Sequence, residues 1–90
     1  MDKLEKLDLM DKILREFDDL KHSQTSVLNK ISKIEVDNIN LGVKLLEEKL
    51  PKMWQNVNNN LVLVIELEQE FKAYRDKFYS DNNLGTVQEG

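Results

Sequence analysis

Apolar residues recur at alternating spacings of three and four from residue 10 to residue 45. The seam runs Met10, Ile13, Phe17, Leu20, Gln24, Val27, Ile31, Ile34, Asn38, Leu41, Leu45, and only Gln24 and Asn38 are polar on it. Such a repeat closes on itself every seven residues, which is the pattern of a helix that packs along one stripe. A second seam follows: Val43, Leu46, Leu50, Met53, Val57, Asn60, Val64, Leu67, Phe71, Tyr74, Phe78. The two are out of phase. Ile31 and Val43 hold the same heptad position twelve residues apart, five more than one heptad. A coiled coil absorbs a four-residue stutter by local unwinding, and five is more than that.

The phase break falls on Val36-Asp37-Asn38-Ile39-Asn40-Leu41-Gly42. Asp and Asn favour caps, and a helical Gly costs about 1 kcal/mol against Ala. The reading is therefore a helix over about 2–35, a hinge or turn over about 36–40, and a helix over about 40–80. Pro51 is the competing boundary, because an interior proline costs roughly 3 kcal/mol whereas one in a first turn is tolerated. The weaker stretch His22-Ser23-Gln24-Thr25-Ser26 favours caps over helix interiors. Asp81-Asn82-Asn83 and Gly85 mark helix termination, followed by a tail expected to be flexible over 81–90. The expected fold is all-α. Two long amphipathic helices, as a helical hairpin or a kinked rod, assemble into a coiled-coil bundle.

Leu61-Val62-Leu63-Val64-Ile65 interrupts the amphipathic pattern. On a helix these five side chains point all round the axis, and a helix that is apolar all round is surrounded by others. A short strand is the other reading of such a run. As helix, it calls for three or four helices meeting there, most simply a dimer or tetramer of this chain. The expected oligomer interface is Met10, Ile13, Phe17, Leu20, Val27, Ile31 and Ile34 with Leu46, Leu50, Met53, Val57, Leu61, Val64, Leu67 and Phe71. Gln24 and Asn60 are candidates for setting register, while Asn38 reads as a turn or cap residue.

Composition bears mostly on what the chain is not. There is no Cys, so there is no disulfide, no thiolate nucleophile and no Cys-based zinc site; His22 is the single His. Neither a phosphate loop nor a calcium loop is present, and the paired acids Asp18-Asp19 and Glu47-Glu48 lack a Gly-rich loop beside them. The chain is expected to be no enzyme and to need no cofactor or metal. Seventeen Asp and Glu against thirteen Lys and Arg give a net charge of -4, which disfavours direct nucleic-acid binding. No apolar run approaches the roughly 20 residues of a membrane span, and the charged N-terminus is not a signal peptide. A cytoplasmic protein that binds another protein is the expectation. Its candidate partner surface is Trp54, Glu66, Glu68, Glu70, Tyr74, Arg75, Phe78 and Tyr79, since aromatics and Arg dominate interface energetics. The Glu run also admits an acidic mimic that blocks a nucleic-acid-binding protein. A third reading is a structural subunit of a larger coiled-coil complex.

Ile31-Ser32-Lys33-Ile34-Glu35-Val36, then Leu45-Leu46-Glu47 and the Asn-rich stretch before Leu61, resemble the short uncharacterised coiled-coil proteins of Firmicutes and their phages. The resemblance covers residues 25–75. Pro51 and the run 61–65 depart from that pattern. What the resemblance implies is a prokaryotic or phage source and a binding role. A phage or mobile-element modulator that binds and inhibits a host protein, in the host cytoplasm, is its sharpest form.

Overall fold

The computed structural model describes residues 1–85. It is a helical hairpin: α1 spans Lys3–Leu41, α2 spans Lys44–Asp81, and Gly42-Val43 joins them. The rod measures 67 × 19 × 15 Å with a radius of gyration of 20.0 Å. A globular domain of this length would have about 12 Å.

Local chemistry sets each boundary. Asp2 caps α1: its Oδ1 accepts the Glu5 N–H at 2.8 Å while the Glu5 carboxylate accepts the Asp2 N–H. This reciprocal box satisfies two donors that a helix start leaves free. At the other end Gly42 takes the left-handed conformation, φ +69°, and its N–H reaches the Asn38 carbonyl at 2.7 Å. A side chain at that φ would strain the backbone, so glycine ends the helix here.

The turn therefore lies at 42–43, beyond the expected 36–40, and Asp37 and Asn40 remain inside α1. Asn38 shows why. Instead of ending the helix, its side chain brackets the turn, Oδ1 accepting the Val43 N–H at 3.0 Å and Nδ2 donating to the Val43 carbonyl at 3.1 Å. α2 has no capping side chain of its own, and Asn38 supplies one from α1. Asn38 is 4% exposed, the one buried polar residue among those described. The heptad phase break is spent between Asn38 and Val43, the two ends of one column.

Pro51 lies within α2 on its exposed side. It leaves the Glu47 carbonyl without its helical donor, and solvent is available to replace it. The stretch 22–26 is helical too. The Thr25 hydroxyl and the His22 ring nitrogen Nδ1 both donate to carbonyls four residues back, at 2.9 and 2.8 Å, so groups that compete with a helix here bond onto it. The run 61–65 is helix rather than strand. After α2, Leu84 is buried at 3% exposure, so the chain following Asp81 packs back on the rod as far as it is described. Residues 86–90 of the expected tail lie outside the described residues.

The two helices meet along a central column, with Met10, Phe17, Gln24, Ile31 and Asn38 from α1 and Leu50, Val57, Val64, Phe71 and Phe78 from α2. All ten are buried or half-buried. One flank of this column closes the hairpin. It consists of Leu7, Leu14, Lys21, Leu28 and Glu35 on α1, and of Trp54, Leu61, Glu68, Arg75 and Asn82 on α2, again all buried or half-buried.

Candidate interaction surface

The closed flank carries the cross-helix ion pairs. Lys21 Nζ donates to Glu68 Oε1 at 2.7 Å, and Arg75 grips Asp11 through Nε at 2.8 Å and a second nitrogen at 3.4 Å. The Glu68 hydrogen bond holds the Lys21 ammonium above its ordinary pKa, and the Asp11 bond does the same for Arg75. Long basic side chains lay their stems on the seam and keep their charge at its edge. This flank is finished by polar residues, with Asp11, Asp18, Thr25 and Ser32 following along α1.

The opposite flank is open. On α1 it presents Ile13, Leu20, Val27, Ile34 and Leu41; on α2, Leu46, Met53, Asn60, Leu67 and Tyr74. Leu20, Val27, Ile34, Met53 and Leu67 are each 41 to 51% exposed. Midway along it lies a notch of about 370 Å³ between the helices, lined by Leu20, Ser23, Gln24 and Val27 and by Asn56, Val57 and Asn60. Gln24 Oε1 is buried there without a hydrogen-bond partner.

The predicted interface residues thus divide in two. Met10, Phe17, Ile31, Leu50, Val57, Val64 and Phe71 lie in the central column, and Leu61 joins the closed flank. Ile13 and Leu46 are half-buried on the open flank, where Leu20, Val27, Ile34, Met53 and Leu67 are exposed. The more apolar of the two flanks is therefore not the one that closes the hairpin. Of the run 61–65, Val64 is buried, but Val62 and Leu63 are 44% and 61% exposed.

The predicted partner surface does not gather on one face. Glu68 is committed to Lys21, while Glu66 and Glu70 point to solvent. Arg75 is committed to Asp11 and also lies over the Tyr79 ring, 5.2 Å from its centroid. Tyr74 is 61% exposed and stacks on Phe71, whose ring meets Phe17 edge-on at 6.1 Å. Phe78, Tyr79 and Trp54 are half-buried. Sequence reasoning missed the turn end, where Val36, Ile39, Leu41 and Leu45 are 61 to 77% exposed. Val36 and Ile39 are off the seam, so a search for periodicity passes over them.

No protein-family model, curated protein or solved structure matches this chain. Among the described residues, no helix is long and apolar enough to cross a membrane, and no cluster of His, Cys, Asp or Glu is placed to hold a metal ion. His22 is exposed and bonded to its own helix.

Proposed function

We propose that this chain is a non-enzymatic protein–protein interaction module that self-associates through its heptad faces. One observation carries the reading: of the two flanks beside the central column, the more apolar one on each helix is the open one, which the hairpin leaves unpaired. Among the described residues only six apolar side chains are buried, and no large side chain is less than 2% exposed. A helix pair with so little interior gains stability by covering its remaining apolar stripe with another chain.

The finer role, a phage or mobile-element modulator that binds and inhibits a host protein in the host cytoplasm, rests on the resemblance to short coiled-coil proteins of Firmicutes and their phages. Turn-end residues Ile39, Leu41 and Leu45 are an exposed apolar tip on which such a partner would seat. An acidic mimic draws less support, since Glu68 is tied to Lys21 and only Glu66 and Glu70 of the run face outward. The test combines solution mass, helicity and capture of partners from host lysate. A helical oligomer that retains a host protein is expected. A stable helical monomer that captures nothing overturns the proposal.

A further inference from the structure

The open flank has a shape, an area, a polar notch and a charge gradient, and together they specify its occupant. We propose that a second copy of this chain covers it, antiparallel to the first, as a two-fold dimer of hairpins with Gln24 at the dyad. This rests on the self-association proposed above and goes further by fixing the face, the direction and the register.

Area comes first. A folded monomer of 10.6 kDa exposes about 5,500 Å², and this chain exposes 6840 Å². A face 67 Å long and 15 to 19 Å across offers on the order of 1,000 Å², above the roughly 800 Å² per partner of a standard interface.

Charge sets the direction. The half of the rod toward the termini, residues 1–21 and 61–85, holds twelve Asp and Glu against eight Lys and Arg. The half toward the turn, residues 22–60, holds four against five. The rim of the open flank leans the same way, with Glu16, Glu70 and Lys77 in the first half and Lys30, Lys49 and Asp37 in the second, all exposed. An antiparallel copy sets Glu16 and Glu70 of each near Lys30 and Lys49 of the other. A parallel copy sets Glu16 beside Glu70.

The notch sets the register. Gln24 lies near the midpoint of α1, so an antiparallel dyad at its level overlaps the two rods along their whole length. In the single hairpin the Gln24 Oε1, buried beside the notch, finds no donor. Across the notch the carboxamide meets the second copy's Gln24, and each amide N–H donates to the other's carbonyl oxygen. A shift of one helical turn carries each carboxamide out of the notch and against Leu20 or Val27, which offer no bond, and a buried polar residue that penalises slippage in this way is a register device.

The chain's lack of Cys makes single-Cys cross-linking a direct test. With the dyad at Gln24, Ile13 of one copy lies beside the second copy's Ile34, whereas the two Ile13 residues are about 33 Å apart along the rod. A mixture of Ile13→Cys and Ile34→Cys chains is expected to form a mixed disulfide dimer under mild oxidation, and neither alone to cross-link. Leu20→Glu is expected to halve the solution mass with helicity retained. Val36→Glu, on the outer side of α1, is expected to leave it at twice that of one chain. Cross-linking of Ile13→Cys with itself overturns the antiparallel arrangement. A dimer dispersed by Val36→Glu but not by Leu20→Glu overturns the choice of face. Either result leaves self-association standing. A wild-type monomer, including one that binds a different protein on this flank, overturns both the inference and the self-association beneath it.

Discussion

At the scale of single residues, Asn38 does more than any other side chain to make this a hairpin. It gives Val43 a donor and an acceptor at once, and it does so from within α1. Replacing it by Ala leaves the Val43 N–H without its partner, while the Val43 carbonyl keeps the Glu47 N–H at 3.2 Å. One hydrogen bond lost outright and one shared put the expected loss at about 1 to 2 kcal/mol, measurable by urea denaturation. Titration has a sign at each end of the pH scale. The Glu5 N–H holds the Asp2 carboxyl below its ordinary range, so the cap contributes above the usual Asp pKa and is lost as pH falls through the lowered one. The first turn of α1 is expected to fray in acid, seen as faster exchange of the Glu5 amide. Lys21 is raised chiefly by its bond to Glu68. That contribution is complete below the ordinary Lys pKa and lost as pH rises through the raised value. Stability is therefore expected to fall at strongly alkaline pH, and Lys21→Met to flatten that fall.

Among the elements, α2 tolerates a proline that the propensity of its neighbours does not explain away. Because Pro51 faces solvent, its cost is the missing bond to Glu47 and the crowding of that carbonyl. An interior proline costs about 3 kcal/mol and stiffening the unfolded chain returns up to about 1. Pro51→Ala is expected to stabilise the hairpin by about 2 kcal/mol in thermal or urea unfolding. The helices themselves were legible from heptad periodicity. The seams also contain the central column, but read from sequence Met10, Phe17, Ile31, Leu50, Val57, Val64 and Phe71 belonged to an interface between chains and Phe78 to a partner surface, because periodicity does not say whether a stripe packs within the chain or against another. The flank that closes the hairpin was not. Lys21, Glu35, Glu68 and Arg75 sit on it, and a search that ranks positions by apolarity prefers their neighbours Leu20, Ile34, Leu67 and Tyr74. What decides the flank is the two-residue turn, which fixes how α2 is rotated against α1, together with basic side chains long enough to pack by their stems. The turn itself was misplaced for a related reason. Asp37, Asn38 and Asn40 have the composition of a helix end, but capping depends on which backbone groups lie within reach, and Gly42 provides the left-handed step.

For the whole molecule, the surface that the hairpin leaves exposed ties stability to assembly. If two rods share a core, unfolding also separates chains, and the melting temperature rises with protein concentration. A hundredfold dilution series followed by circular dichroism is expected to show that shift, and Leu20→Glu to abolish it. The tight joint at Gly42-Val43 has a further consequence. If the joint straightened into continuous helix, the α1 column at Asn38 and the α2 column at Leu50, twelve residues on, would face about 120° apart around one axis. A straightened chain therefore does not offer both columns to one straight neighbour, and the phase break that the turn absorbs also guards against an exchange of helices between chains. Topology in this protein, who folds onto whom, is set at one end of a 67 Å rod.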